Sequence, residues 1–306
     1  MSKLSVVFPG QGSQRPTMGM DFYNEYPIAK EIFEKASKAI DCDLKEICFS
    51  EDERLNLTEY TQPAILTVEI AMYEVIKKEF NFVPVYFAGH SLGEYTALVA
   101  AEVIPFENAV KIVKKRGNLM QTAVPEGKGT MAALICENIP QDKVKVECEK
   151  NNITMANINS KNQIVISGST EETQKTANTL KNEIEGLDVV FLNVSAPFHS
   201  SLMKEIENDF NDCLKQYEES FKKYKAETVM SNYTGKFHTA ENLLENLVKQ
   251  ISGSVKWLDN MSQLQNVSDK IYEIGPNKPL GKFFKTIGAD VISIINLRGA
   301  KSAFVE

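Results

Sequence analysis

Residues 87–97, FAGHSLGEYTA, decide the fold class of this 306-residue chain. The apolar run at residues 83–88 predicts a buried strand, and residues 92–103 predict a helix. Between the two lies GHSLG, a GxSxG pentapeptide in the strand–turn–helix setting that a nucleophile elbow requires. Strands and helices continue to alternate along the chain, and this alternation predicts an α/β fold with a mostly parallel sheet.

A different pattern follows the turn-rich stretch VPEGKG at residues 124–129. The predicted order there is strand, helix, two strands, helix and strand, which is the βαββαβ order of ferredoxin-like domains. We therefore expect a ferredoxin-like small domain at residues 127–195, inserted into a large α/β domain made of residues 1–126 and 196–306. In the second part of the large domain, the sequence predicts a long helix over 201–221 and a strand over 228–231.

The composition argues against several classes of protein. Lysine and arginine number 34 against 41 aspartates and glutamates, a net charge of −7, whereas nucleic-acid binders ordinarily carry a basic excess. The five cysteines are scattered with no CxxC pair, so we expect no metal site and a reducing, cytoplasmic location. No segment has the length and hydropathy of a signal peptide or a membrane span, and we expect no membrane partner.

Ser91, at the centre of the pentapeptide, has two interpretations. It is either a nucleophile or a helix N-cap in a glycine-rich turn, which is a common arrangement. The flanking strand and helix favour the nucleophile, because the turn then places the hydroxyl at the carboxyl edge of the sheet, where open α/β sheets bind ligands.

A serine nucleophile needs a base, and the chain contains three histidines. His90 adjoins the serine on a sharp turn, where neighbouring side chains point apart. His238 precedes a helix, and we expect it on a surface loop. His199, in NVSAPFHSSLM, follows the last strand of the small domain, and a loop at a domain junction is a usual place for catalytic groups. A solvated histidine near a helix start gives the same signature.

Arg116 falls on the apolar face of the helix predicted over 105–121, in register with Ala109, Ile112 and Val113. A guanidinium placed inward needs acceptors. Its partner is either an internal Glu or Asp, which periodicity alone slightly favours, or the carboxylate of a substrate. The glycine loop FPGQGSQ at residues 8–14 lacks the third glycine of a dinucleotide fingerprint. We therefore expect no cofactor there, and its amides are suited to bind an oxyanion.

Seven segments together resemble malonyl-CoA:acyl-carrier-protein transacylases, a family of fatty-acid synthesis enzymes and stand-alone acyltransferases of polyketide synthases. Over nearly the whole chain they follow the family's order and spacing. The segments are FPGQGSQ (8–14), AGHSLGEYTAL (88–98), KKRGNLMQ (114–121), ANINSKNQIVISG (156–168), VSAPFHSSLM (194–203), LVKQISGSVKW (247–257) and EIGPNKPLGKFF (273–284). In one departure, Thr17 stands where the family usually has glycine, and this predicts a different shape for the loop that carries Gln11.

The resemblance implies an α/β-hydrolase-like large domain and an activity. The activity is transfer of malonyl from malonyl-CoA to the phosphopantetheine thiol of an acyl carrier protein, through a malonyl-serine ester. No permanently bound cofactor is implied, and a monomer is slightly favoured. The same dyad would also serve an acyl hydrolase that clears carrier proteins, and a non-catalytic docking module is the alternative from another class.

The resemblance also implies roles for seven residues. Ser91 and His199 would form a nucleophile–base dyad, and Arg116 would bind the malonyl carboxylate. The remaining assignments are the backbone N–H groups of Gln11 and Leu92 as oxyanion donors, the backbone carbonyl of Gln250 as the group that orients His199, and Phe198 as a residue that selects malonyl over methylmalonyl.

Overall fold

The computed structural model describes residues 2–304 and contains two sheets and their surrounding helices. The strands in this range are β1 Leu4–Phe8, β2 Tyr86–Gly89, β3 Gly129–Ile135, β4 Thr154–Ser160, β5 Gln163–Ser169, β6 Asp188–Phe191, β7 Lys270–Ile274 and β8 Val291–Ile294. The α-helices in the same range are α1 Met20–Glu25, α2 Pro27–Ile40, α3 Leu44–Phe49, α4 Thr58–Glu79, α5 Gly93–Ala100, α6 Phe106–Thr122, α7 Gln141–Lys150, α8 Thr170–Glu183, α9 Glu207–Lys215, α10 Leu243–Gln250, α11 Trp257–Val267, α12 Pro279–Lys285 and α13 Leu297–Phe304.

The first sheet is parallel, with the strand order β2-β1-β7-β8. Its central strand β1 is apolar on both faces: Val6 and Phe8 pack into one core cluster, while Val7 packs into another on the opposite face. A parallel sheet covered on both faces needs such continuous apolar strands. The neighbouring strands β1 and β2 end side by side, with Phe8 paired with Gly89, so the loops that follow them share one edge of the sheet.

The second sheet is antiparallel, with the order β4-β5-β3-β6. This is the strand order of a βαββαβ ferredoxin-like unit. One face packs under α7 and α8 through a core that includes Leu134 and Ile166. The opposite face turns toward the first sheet and presents Met131, Ala133 and Val165 to a central cavity.

The predicted fold class is therefore confirmed: an α/β unit with a parallel sheet and a separate ferredoxin-like unit. All strands of the antiparallel sheet lie between residues 129 and 191. On that basis we propose the domain boundaries already given, with residues 127–195 as the small domain and residues 1–126 and 196–306 as the large one.

Three predicted elements differ from the structure. The buried strand expected over 83–88 begins only at Tyr86, and Val83 and Val85 before it are exposed. The helix expected over 201–221 is divided into a 3₁₀ turn at Ser201–Ile206, α9 and a second 3₁₀ turn at Glu218–Ser220. In the first turn Met203 and Ile206 are both buried, and a 3₁₀ helix aligns such i, i+3 positions. The strand expected over 228–231 is reduced to isolated bridges, because the chain turns away and the N–H of Asn232 donates to a side chain instead.

Candidate active site

Ser91 lies in a sharp turn between β2 and α5, with φ of 51° in the left-handed region. The flanking glycines are required by close backbone contacts. A Cβ on Gly89 would lie 1.9 Å from the carbonyl oxygen of Gly93, and a Cβ on Gly93 would lie 2.2 Å from that of Phe8. Serine rarely adopts this backbone conformation, and such strain persists only where the surroundings impose it.

The structure brings His199 to the serine. Ser91 Oγ lies 2.7 Å from His199 Nε2, and His199 Nδ1 lies 2.7 Å from the carbonyl oxygen of Gln250, the last residue of α10. Because a carbonyl oxygen only accepts, Nδ1 carries the proton, and Nε2 is left to accept from the serine hydroxyl. Within residues 2–304 His199 makes no ion pair with a carboxylate.

His199 is held in its neutral form. Its side chain is 3% exposed, and burial, followed by the positive charge of Arg116, lowers its pKa from 6.5 to about 3. The neutral imidazole is the form that accepts a proton. At neutral pH the arrangement is therefore a serine hydroxyl donating to an imidazole nitrogen that is free to take its proton.

Arg116, on α6, is 1% exposed and faces the serine. Its Nη1 donates to Gln62 Oε1 at 2.8 Å, and its Nη2 donates to Gln250 Oε1 at 2.8 Å and to Ser91 Oγ at 3.1 Å. The guanidinium lies 5.3 Å from the ring centre of Tyr95. Among the described residues no Glu or Asp pairs with it, so the expectation of an internal carboxylate partner is wrong.

Two backbone donors face the same cavity. Gln11 follows β1, and Leu92 follows Ser91; both line the cavity. In the described part of the chain, neither N–H group makes a hydrogen bond. Leu92 is buried and Gln11 is half-buried, and two backbone donors without partners beside a nucleophile match the composition of an oxyanion hole.

Thr17, the departure from the family pattern, has φ of 65°. This is the left-handed region that glycine adopts most readily. The loop after β1 therefore keeps a glycine-like backbone at Thr17, and its N–H is fixed by the carbonyl of Cys48 at 2.8 Å.

The other two histidines do not contact Ser91. His90 Nε2 lies 2.7 Å from Asn159 Oδ1 on β4, and its ring packs against Trp257. His238 is buried, and its Nε2 lies 2.8 Å from Glu94 Oε1. The expected surface position of His238 is therefore wrong, because Glu94, which is 144 positions away in the sequence, draws it inside.

The cavity in front of Ser91 has a volume of about 970 Å³. Besides the residues described above, its wall includes Phe198, the apolar face of the antiparallel sheet and Phe283 of α12. A space of this size accommodates a drug-sized or larger ligand. It lies at the carboxyl edge of the parallel sheet, where the sequence placed it.

Residues 2–304 contain no cluster of three His, Cys, Asp or Glu side chains suited to a metal ion. In the same part of the chain, no helix is long and apolar enough to cross a membrane. The five cysteines are free thiols.

Sequence reasoning missed three polar residues around Ser91: Gln62, Glu94 and Asn232. Gln62 holds Arg116, and the other two lie behind the elbow. Glu94 and Gln62 belong to helices with no polar pattern that marks them, and Asn232 lies in a segment with no regular structure. Their long-range partners are the only signal that identifies them, and a single sequence does not reveal those partners.

Comparison with known proteins identifies the family. The model of the acyl transferase domain matches residues 6–261. The chain is 41% identical over 300 residues to the malonyl CoA-acyl carrier protein transacylase of Staphylococcus aureus, covering 95% of this chain and 94% of that protein. Its structure superposes on the transacylase of the same name from Clostridium perfringens with a TM-score of 0.91 at 34% identity, covering 99% and 96% of the two chains.

A further similar structure is a malonyl-transacylase in complex with a type II polyketide synthase acyl-carrier protein. The TM-score is 0.91 at 32% identity, and 99% of each chain is covered. The chain therefore belongs to the acyl transferase family, among the malonyl CoA-acyl carrier protein transacylases.

Proposed function

We propose that this protein transfers a malonyl group from malonyl-CoA to the phosphopantetheine thiol of an acyl carrier protein, through an ester on Ser91. One observation carries the proposal: Ser91 Oγ is hydrogen-bonded both to His199 Nε2 at 2.7 Å and to Arg116 Nη2 at 3.1 Å. A single oxygen thus adjoins a base and a buried cation. If the acyl group attached to that oxygen ends in a carboxylate, as malonyl does, the carboxylate can lie beside the guanidinium.

In the first half-reaction His199 Nε2 accepts the proton of Ser91 as Oγ attacks the thioester carbon. The negative charge that develops on the carbonyl oxygen is stabilised by the N–H groups of Gln11 and Leu92. Loss of one such donor typically costs about 10²- to 10³-fold in rate. The carbon–sulfur bond then breaks, His199 returns the proton to the CoA sulfur, and malonyl-serine remains.

In the second half-reaction the carrier-protein thiol occupies the place that CoA has left. His199 accepts the thiol proton, the sulfur attacks the ester carbonyl, and the same two N–H groups bind the oxyanion. The bond to Ser91 Oγ breaks, and His199 returns the proton to the serine. The carbonyl of Gln250 keeps the imidazole in one tautomer through both steps.

Arg116 supplies selectivity for malonyl. Its resting partners are neutral oxygens, so a substrate carboxylate provides the charge that the guanidinium lacks. Acetyl has no carboxylate and leaves the buried cation uncompensated. Sites whose buried polar groups go unpaired reject such analogues by about 10⁴-fold. The positive charge of Arg116 lowers the pKa of His199. The malonyl carboxylate offsets that charge, so bound substrate favours the protonated form of His199 that arises during the reaction.

The finer assignments rest on the same cavity. Phe198 lines it, and we propose that its ring limits the space beside the α-carbon of the acyl group and so disfavours methylmalonyl. The reaction uses Ser91, His199, Arg116 and two backbone amides, so we propose an enzyme with no permanently bound cofactor. A cytoplasmic location and a monomeric state complete the proposal.

The proposal is tested by intact-mass measurement of the protein after incubation with malonyl-CoA. We expect a malonyl adduct that is absent in Ser91→Ala and that discharges onto phosphopantetheinylated carrier protein but persists in buffer. Equal discharge in carrier and buffer would make the protein an acyl hydrolase. A missing adduct in the wild type, combined with retained carrier binding, would make it a docking module.

A further inference from the structure

The side of Ser91 that faces away from the cavity is organised around one buried carboxylate, that of Glu94 on α5. It is 0% exposed. Its Oε2 accepts from Gln250 Nε2 at 2.7 Å and from the backbone N–H of Asn232 at 3.0 Å, and its Oε1 faces His238 Nε2 at 2.8 Å. Asn246 Nδ2 is a donor and lies 3.2 Å from His238 Nδ1, so the proton of His238 is on Nε2, and both carboxylate oxygens accept from donors.

Asn232 connects this carboxylate to the nucleophile. Its Oδ1 accepts the N–H of Ser91 at 2.7 Å, and its Nδ2 donates to the carbonyl of Gly89 at 2.8 Å and to Asn260 Oδ1 at 2.9 Å. An amide side chain offers an acceptor and a donor side by side. Asn232 thus spans the elbow from the residue before the turn to the nucleophile itself.

The side chain of Gln250 holds the other backbone group of Ser91. Its Nε2 donates to the Ser91 carbonyl at 3.0 Å as well as to Glu94 Oε2. Both the N–H and the carbonyl of Ser91 therefore end on side-chain amides, and both amide residues are anchored on one oxygen of Glu94.

We infer that Glu94, Asn232 and Gln250 form a clamp that fixes the left-handed backbone of Ser91 and thereby aims its hydroxyl at His199. The inference rests on the proposed function, and within it Glu94 and Asn232 are positioning residues. A φ of 51° is disfavoured for serine. If the clamp is loosened, the backbone relaxes and Oγ moves away from His199 Nε2. A misplacement of about 1 Å at reacting groups can cost about 10²-fold in rate.

The test uses Asn232→Asp, which keeps the shape of the side chain and replaces its donor with an oxygen that faces the Gly89 carbonyl. Asn151→Asp is the matched control. Asn151 is also buried, and its Nδ2 donates to the Glu147 carbonyl at 3.0 Å and to Glu147 Oε1 at 2.9 Å, in the small domain. Both variants therefore lose the same kind of buried donor, but only one of them contacts the elbow.

Two rates are measured well below the Tm of each variant. These are the rate of malonyl adduct formation by quenched intact mass and the rate of Ser91 labelling by phenylmethylsulfonyl fluoride, which needs no malonyl site. We expect both rates to fall about 10- to 100-fold in Asn232→Asp, with the malonyl-CoA concentration for half-saturation changed less than about threefold because Arg116 is intact. Asn151→Asp keeps both rates and shows only a lower Tm.

Wild-type rates in folded Asn232→Asp would overturn the clamp, as would equal losses in the two variants. Should Asn232→Asp fail to fold, Glu94→Gln takes its place. This variant keeps one oxygen that accepts from Asn232 and Gln250 and places an amide N–H₂ group next to His238. We expect both rates to fall about 3- to 10-fold. Unchanged rates would refute the clamp. If the wild type forms no malonyl adduct but is labelled by the sulfonyl fluoride, the proposed function fails, and the labelling rates still decide the clamp.

Discussion

The two sides of Ser91 treat buried charge differently. On the cavity side, the hydrogen bonds of the Arg116 guanidinium within the described chain all go to neutral oxygens, its Nε has no hydrogen-bond partner there, and the group lies against the Tyr95 ring. On the opposite side, the carboxylate of Glu94 accepts hydrogen bonds at both oxygens. On the side that contacts substrate, the buried charge has incomplete hydrogen bonding. On the side that supports the turn, both oxygens of the buried carboxylate accept hydrogen bonds.

The difference has a physical reason. A buried charge without an opposite charge destabilises a fold, so such a group persists where another molecule supplies the missing charge. Arg116 forms no ion pair in the described chain: Glu94 attracts it from behind the Gln250 amide, and the cost of burying the guanidinium falls when a carboxylate enters the cavity. Glu94 does not line the cavity, and both of its oxygens accept hydrogen bonds from other residues of the protein. The predictions below test whether this division holds.

The largest effect is expected at His199, and His238, the buried histidine on the opposite side of Ser91, provides the comparison. His199→Ala removes the base, and we expect the rate of malonyl adduct formation to fall about 10²- to 10⁴-fold. His238→Gln alters a histidine that contacts Glu94 rather than Ser91, so its loss should be far smaller, with most of the change in Tm. Quenched intact-mass kinetics on both variants provide the measurement. Similar losses in the two would remove the distinction between the sides.

The next effect concerns the unpaired guanidinium. In Arg116→Ala we expect kcat/KM for malonyl-CoA to fall about 10²- to 10³-fold, with a relative gain for acetyl-CoA. Competition between the two thioesters, resolved by intact mass, measures the ratio. Arg54→Ala is the control, because Arg54 already pairs with Asp52 near the surface.

Thermal stability gives this comparison a second readout. Replacing Arg116 with methionine removes a buried charge that forms no salt bridge in the described chain but leaves the Gln62 and Gln250 amide oxygens without their donor, so the Tm of this variant should fall less than that of Glu94→Ala. Glu94→Ala leaves three donors without their acceptor, and its Tm should fall. A large loss in Arg116→Met would mean that the cavity side is as saturated as the other. A wild-type preference for malonyl in Arg116→Ala would refute the selectivity role itself.

The smallest effect is expected in the pH profile. Burial, and secondly Arg116, lower the pKa of His199 to about 3, so kcat/KM for adduct formation should stay flat from about pH 8 to about pH 5, with no limb near 6.5. In Arg116→Ala the second cause is gone, and the limb should move toward neutral pH. The free energy of unfolding changes over the same pH range. Because the pKa of His199 is lower in the folded protein, its contribution to stability is complete above pH 6.5 and declines as pH falls toward about 3. A limb near 6.5 in the wild type would contradict both statements.

Much of the fold and the cavity side could be predicted because the signals are local. The GxSxG turn has its strand and helix next to it, and Arg116 stands out by helical periodicity alone. The βαββαβ order is visible in six successive elements. The predicted strand at 228–231 is reduced to isolated bridges, because Met230 N–H donates to the Phe87 carbonyl on β2 but Ser231 N–H already donates to the Lys236 carbonyl across a turn.

The opposite side could not be predicted, since its contacts join residues that are far apart in the sequence. Asn232 and Ser91 are separated by 141 positions, and Glu94 and Gln250 by 156. Single polar residues in such places carry no periodicity or spacing. Likewise, helical periodicity predicted that Arg116 points inward but could not identify its partners. It slightly favoured an internal carboxylate, whereas the structure shows the side-chain amide oxygens of two glutamines.

The hydrogen bond from Arg116 Nη2 to Ser91 Oγ has one more consequence. A hydroxyl oxygen has two lone pairs, so this bond leaves one of them for attack and chiefly fixes the direction of Oγ. A malonyl carboxylate competes with Oγ for the guanidinium, so we expect malonyl-CoA to loosen this restraint beside its own thioester. Acyl-CoA molecules without a carboxylate offer no such competition, and we expect the restraint on Oγ to persist with them. The acetyl-CoA arm of the Arg116→Ala experiment measures the strength of this restraint.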